Sequence, residues 1–246
     1  MVRYHEIAHS LELALRGDGH GPVRVPSEHE LCRRYGASRT TVRSALGELE
    51  KAGLVERRQG KGTFFRPAPI SKNLGSLVNF HAEAEAAGRT PRTRVLSLER
   101  VPAGPAEATL FGLPPFAELL ELVRVRSLDG LPAVLQRSWL RPEALRGAAA
   151  ADLEDASLYD RLALAGLVVA TVEETLEPRA AGAEEAGRLG IEPGTAVFRS
   201  RRVARTEAGA VVEVSDNLIR GDIYRFTTRR RVEPRTGGEA GTGDAP

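Results

Sequence analysis

Little in this chain is set aside for crosslinks or for lipid. Its 246 residues include a single cysteine, Cys32, so no disulfide can close within it. That usage fits a reducing cytoplasm. Cys32 reads as a small core residue on a helix, with a redox sensor as the alternative. Apolar runs fall well short of the ~18 residues that suggest a membrane span. The N-terminus, Met1-Val2-Arg3-Tyr4-His5-Glu6, lacks the apolar segment of a signal peptide. A cytoplasmic chain with no membrane partner is therefore expected. Chemistry-bearing clusters are equally scarce. There is no nucleophile elbow and no metal-spaced His/Cys group, and His81 is the only histidine after residue 29. Neither a catalytic site, nor a metal site, nor a cofactor is expected.

What is present is an ordinary core, 41% hydrophobic, and an uneven charge. Residues 1–72 hold 13 Lys/Arg against 8 Asp/Glu, and the remainder 22 against 25. A basic head on an acidic body suggests that the head meets an anionic polymer. At roughly 100–200 residues per domain, one or two domains are expected.

The head reads as three helices and a hairpin. Ile7, Leu11 and Ala14 recur at helical spacing over 4–16. Ser27, with Glu30 three residues on, makes a capping box for a second helix that stops near Tyr35-Gly36. After a tight turn, Ser38 can cap a third helix from Arg39 to Ala52, whose buried stripe is Val42, Ala45, Leu46 and Leu49. Two short helices across a glycine-containing turn form a helix-turn-helix. The second of the pair offers arginines that can fork onto guanine edges and short hydroxyl residues that allow close approach. Segments 54–59 and 63–66 then read as a hairpin with a Gly60-Lys61-Gly62 tip, a wing that could follow a DNA groove.

Four runs carry a resemblance: Pro26-Ser27-Glu28-x-Glu30-Leu31; Tyr35-Gly36-x-Ser38-Arg39-x-Thr41-Val42-Arg43; Leu49-Glu50-x-x-Gly53-Leu54; and Arg58-Gln59-Gly60-Lys61-Gly62-Thr63-Phe64. Together they resemble the GntR family of bacterial regulators across residues 4–66. The resemblance implies that Arg39, Thr40 and Arg43 read bases and phosphates, with Thr41 beside them. It also implies that Ser38 touches the backbone and that Gly60 and Lys61 enter the minor groove. His29 stands where the family often has an arginine that contacts DNA.

Residues 66–72, proline-broken and polar, read as a linker unable to continue a strand pairing. A short helix is expected over 76–87. Beyond it the chain echoes itself. Helix, turn, strand, hairpin and strand run from Ala106 to Ser138, and again from Ala183 to Ser215. Gly112 and Gly190 lie 78 residues apart, and Ser138 and Ser215 lie 77 apart. Two equivalent halves of one α+β domain follow. A helix start is expected at Ser157, and a strand from Thr171 to Leu176. Arg220, Asp222, Tyr224 and Phe226 would share one face of a strand, with Arg220 and Asp222 paired for structure or function.

Arg124-x-Arg126, Asp129-Gly130-x-Pro132, Ser157-Leu158-Tyr159, Glu213-x-Ser215 and Arg220-x-Asp222-x-Tyr224-x-Phe226 occur in an order that resembles the UTRA effector domain. The combination is that of the HutC subfamily. The resemblance implies an N-terminal winged helix-turn-helix and a C-terminal antiparallel-sheet, chorismate-lyase-like effector domain. In sugar-phosphate-sensing members an arginine pair and a serine-x-tyrosine turn hold the phosphate; Arg124, Arg126, Ser157 and Tyr159 match. Glu213 matches one sugar-binding carboxylate, Gln136 replaces the other, and Ile219 stands where an aromatic hydroxyl is common. Tyr224 completes the candidate effector residues. The competing reading makes Arg124 and Arg126 surface salt-bridge partners on an edge strand.

The expected organisation is 1–67 for DNA, 68–75 as linker, 76–233 for sensing and 234–246 as a disordered tail. The expected function is a prokaryotic transcriptional regulator, a repressor. It would be cytoplasmic and nucleoid-associated, and would pair through its C-terminal domain on a near-palindromic double-stranded operator. A small anionic or phosphorylated metabolite would modulate it. Two alternatives remain: a regulator with a degenerate pocket, governed by a protein partner or by expression level, and a chorismate-lyase-like enzyme.

Overall fold

The structure, a computed structural model, describes residues 3–17, 23–58, 62–65, 69–75 and 79–229. Helix α1 (Arg3–Gly17) buries Ile7, Ala8, Leu11 and Leu15 along one stripe. A two-residue strand β1 (Val23–Arg24) follows, then α2 (Glu28–Tyr35) and α3 (Arg39–Lys51). The capping box is formed as the spacing requires. Ser27 Oγ accepts from the Glu30 amide, and the Glu30 carboxylate accepts from the Ser27 amide at 2.8 Å. Gly36 ends α2 at φ 54°, a left-handed turn that glycine adopts without strain. Val42, Ala45, Leu46 and Leu49 of α3 close on the α1 stripe, with Leu31 and Phe65 in the same core and Cys32 packed against it. Strands β2 (Val55–Arg58) and β3 (Gly62–Phe65) form the hairpin, and β1 adds to β3 as a third strand.

The sequence marks 68–75 as a linker, but Ile70–Asn73 is a strand, β4. It pairs in parallel with β11 (Tyr224–Thr227), more than 150 residues away. Pro69 comes just before this pairing and leaves it intact. Helix α4 covers Phe80–Ala86, shorter than the expected 76–87, and residues 76–78 lie outside the described ones.

Next come β5 (Pro91–Pro102), α5 (Pro105–Phe111), β6 (Glu118–Leu128) and β7 (Leu131–Leu140). After α6 (Leu158–Leu164) come β8 (Thr171–Ala180), α7 (Ala183–Leu189), β9 (Ala196–Arg205) and β10 (Val211–Arg220). They form one antiparallel sheet in the order β5-β6-β7-β10-β9-β8. That order is the echo made visible: β5-α5-β6-β7 is repeated by β8-α7-β9-β10, and the halves meet at β7 and β10. Ser138 pairs directly with Ser215, so the pseudo-twofold axis passes through these two serines. Gly112 and Gly190 close α5 and α7 at φ 61° and 63°.

Arg220, Asp222, Tyr224 and Phe226 do not share one strand, contrary to the alternation pattern. β10 ends at Arg220, residues 221–223 turn, and β11 starts at Tyr224. Arg220 and Asp222 pair at 2.7 Å across that turn, and Arg220 also donates to the carbonyls of Pro132 and Leu189. The pair ties the chain reversal to the sheet. Among the described residues no helix is long and apolar enough to cross a membrane.

Candidate functional site

The first half offers one exposed helix edge. Arg39, Thr40 and Arg43 project from the start of α3 into solvent. Ser38 caps this helix. Its hydroxyl accepts from the Thr41 amide at 3.2 Å and lies 2.9 Å from the Thr41 hydroxyl, so both oxygens already serve the helix end. The Arg43 Nε donates to both carboxylate oxygens of Glu28, at 3.0 and 2.9 Å. This fork fixes Arg43 against α2 while its side chain stays 66% exposed. His29 is exposed on the same short helix. Gly60 and Lys61, the expected wing contacts, lie outside the described residues.

The second half holds a polar seam inside the sheet. Register places Arg124 opposite Gln136, Gln136 opposite Asn217, and Asn217 opposite Ser200. The adjacent row runs through Ser138, Ser215, Arg202 and Glu174. Directly paired residues point to the same face, so these groups share one side of the sheet. β6 is flanked by β5 and β7, and Arg124 is fully buried, so neither arginine is an edge-strand surface residue.

Burying this much polarity costs free energy unless hydrogen bonds offset it. Most of the seam is satisfied internally. Arg124 donates to Gln136 Oε1 at 3.0 Å and to the Ala156 carbonyl at 3.3 Å. Gln136 Nε2 donates to Ser138 Oγ at 3.1 Å and to Glu213 at 3.4 Å, and Ser138 also donates to Glu213. Arg202 is held by Glu174 at 2.8 Å. Burial opposes charge on Arg202, but the Glu174 carboxylate outweighs it and lifts the pKa above the ordinary value.

A small cavity of about 40 Å³ opens against this seam. Arg126, Gln136 and Tyr224 line it, as do Lys72, Phe80, Arg202, Asn217 and Ile219. Arg124 and Glu213 stand behind Gln136, hydrogen-bonded to it. Ser157 caps α6, accepting from the Asp160 amide at 3.3 Å, and is not part of the lining. Burial first, and then the nearby Glu213 carboxylate, push the Tyr159 pKa up, so the phenol stays protonated. Burial also raises that of Tyr224, with Glu83 adding to it.

Three buried polar atoms around this cavity have no hydrogen-bond partner: the Nε of Arg124, the Nε of Arg126 and the hydroxyl of Tyr224. Arg126 stacks over the Phe80 ring at 5.1 Å and forms no ion pair among the described residues. Burial lowers its pKa, and repulsion from Arg202 adds to this. Orphaned donors of this kind are rare in folded proteins and mark a place where a partner belongs.

Sequence reasoning missed Arg202, Glu174, Lys72 and Phe80. Arg202 had a signal: it lies 78 residues after Arg124, the spacing that relates Gly112 to Gly190. Lys72 had none, because its place in the wall depends on a pairing with a strand at the far end of the chain.

An exposed basic helix-turn-helix joined to a sheet with a cation-lined cavity defines a ligand-responsive, DNA-binding transcriptional regulator. The chain belongs to the bacterial regulatory proteins of the gntR family, whose model matches residues 4–65, and the UTRA domain model matches residues 86–225. It is similar to the HTH-type transcriptional repressor NagR of Bacillus subtilis (strain 168), 29% identical over 225 residues, covering 91% of this chain and 92% of that protein. The HTH-type transcriptional repressor PhnF of Mycolicibacterium smegmatis is 29% identical over 202 residues, 82% of each chain. The crystal structure of PhnF from Mycobacterium smegmatis superposes with a TM-score of 0.69 at 28% identity, covering 92% of this chain and all of that one.

Proposed function

We propose that this chain is a cytoplasmic repressor whose operator affinity changes when a small anionic metabolite, such as a phosphorylated one, enters the cavity beside Arg126. The observation that carries this reading is the pair of orphaned donors, Arg126 Nε and the Tyr224 hydroxyl, on residues that line one cavity. An arginine without a carboxylate is suited to bind an anion from outside, since its planar fork matches carboxylate and phosphate oxygens. Arg39, Thr40 and Arg43 contact the operator, with Ser38 and Thr41 setting the helix end that approaches the phosphates. Two chains pair through their C-terminal halves and present two α3 helices to half-sites about one helical turn, roughly 34 Å, apart. The operator is then near-palindromic.

Gln136 favours a second reading. It bonds Arg124, Ser138 and Glu213 together, so the pocket would be satisfied internally and a protein partner or abundance would govern the regulator. A thermal-shift screen of phosphorylated sugars and inorganic phosphate on the full chain decides between them. A concentration-dependent rise in Tm that Arg126→Met abolishes supports the first reading. No shift from any phosphorylated compound sinks it.

A further inference from the structure

Lys72 stands apart from the other cavity groups because of where its strand leads. β4 is four residues long and belongs to a two-stranded parallel pair, outside the six-stranded sheet. Two strands alone are marginal in water. Beyond the ladder, β4 is held by burial of Ile70, by the Thr227 hydroxyl, which meets the Ser71 hydroxyl at 3.2 Å and donates to the Lys72 carbonyl at 3.4 Å, and by the Lys72–Glu83 ion pair. That pair is loose. The ions sit 3.4 Å apart with side chains only 13% and 9% exposed, and Glu83 Oε2 has no hydrogen bond. Burial first, and then repulsion from Arg202, lower the Lys72 pKa, with the Glu83 and Glu174 carboxylates opposing.

Lys72 lines the inner cavity and also an outer cleft of about 830 Å³ that includes Leu74, Gly75 and Glu174. Lys72 is thus at the boundary between the two spaces. The inner cavity, at about 40 Å³, is little more than one water's share of liquid volume, ~30 Å³. Small-molecule pockets run to roughly 300–1,000 Å³. A metabolite can enter only if part of the wall gives way, and β4 is a part that lies outside the six-stranded sheet, in a ladder of two strands. β4 also begins five residues after Phe65, a core residue of the DNA-binding half. At most about 3.6 Å per residue limits that tether to roughly 18 Å.

We propose that Lys72 contacts the bound anion and transmits its presence to the DNA-binding half: the anion draws the ammonium from Glu83 into the cavity, and β4 moves with it. This rests on the anion-binding reading given above. The linkage requirement is met, because the anion interacts differently with the two positions of Lys72.

The test uses the full chain, inorganic phosphate as the probe, and a duplex selected by the wild-type protein from a random pool. Phosphate should raise the Tm of the wild-type protein and change its duplex Kd by at least about fivefold, the low end of usual coupling. Lys72→Met should still show a phosphate-dependent Tm rise, through Arg126, while its duplex Kd changes by less than about twofold. Lys72→Arg should restore the response. Should Lys72→Met fail to fold with Glu83 left uncompensated, the Lys72→Met/Glu83→Gln pair replaces it. A Lys72 variant that binds phosphate and responds on duplex like wild type overturns the role of Lys72 and leaves the anion site standing. A wild-type protein whose Tm ignores phosphate and whose duplex Kd is unmoved by it overturns both.

Discussion

Arg126→Met should make the protein more stable and deaf to its ligand. Arg126 contributes a cation–π contact with Phe80 at 5.1 Å, worth about 0.5–2 kcal/mol. Against this stands a cation that is largely buried, lacks a carboxylate, leaves its Nε unbonded and is repelled by Arg202. Replacing buried ions by apolar residues of similar volume is often neutral or stabilising by about 1–4 kcal/mol. Methionine keeps an unbranched, adaptable stem against the ring. The balance favours the variant by about 1–2 kcal/mol. At about 2–4 °C per kcal/mol for a domain of this size, Tm should rise by about 2–8 °C. A calorimetric scan of both proteins, with and without inorganic phosphate, reads both effects at once. A lower Tm in the variant, with the phosphate shift retained, would refute the view that Arg126 is kept for binding at the expense of stability.

Three further outcomes follow from the same geometry. Asp129→Ala should cost about 3–5 kcal/mol, a Tm drop of about 6–20 °C, because it strands the buried Arg89 guanidinium and removes the acceptor of the Thr90 amide; urea unfolding measures it. Arg43→Ala should leave stability within about 0.5 kcal/mol yet weaken duplex binding by about 5–150-fold, whereas Glu28→Gln, which frees the Arg43 fork, should tighten binding at low salt; fluorescence anisotropy against salt concentration separates them. His81 has its pKa lowered by burial, then by Arg126, with Asp155 and Glu85 opposing and Arg124 adding. The unfolded chain therefore takes up this proton first, and stability falls as pH drops from 6.5 toward the lowered value; His81→Gln should flatten the stability–pH curve in that window.

Much of this architecture was legible because local chemistry specified it. Ser27 with Glu30, and Ser38 before Arg39, mark helix starts that any tertiary context would use. The duplicated pattern predicted the halves, since each copy repeats helix, glycine stop and hairpin at one spacing. What escaped depended on distant partners. Lys72 sits in a polar, proline-flanked stretch, and only its pairing with Phe226 makes that stretch a strand. Arg220 and Asp222 alternate as strand residues do, yet they bridge a turn, because the guanidinium also gathers the carbonyls of Pro132 and Leu189. Arginines 124 and 126 were recognisable as a pair, but their burial was not, since nothing nearby in sequence says that β6 lies inside the sheet.

The axis through Ser138 and Ser215 bears on stoichiometry. At the 78-residue spacing Arg124 is repeated as Arg202, but Arg126 is answered by Ala204, which is fully buried among apolar side chains. At the 77-residue spacing Gln136 is answered by Glu213. The halves have therefore divided the work. One supplies the second arginine and a neutral amide, the other an arginine already neutralised by Glu174 and a buried carboxylate. On the anion-binding reading, a duplicated scaffold of this kind offers one binding event, and titration should saturate at a single equivalent per chain.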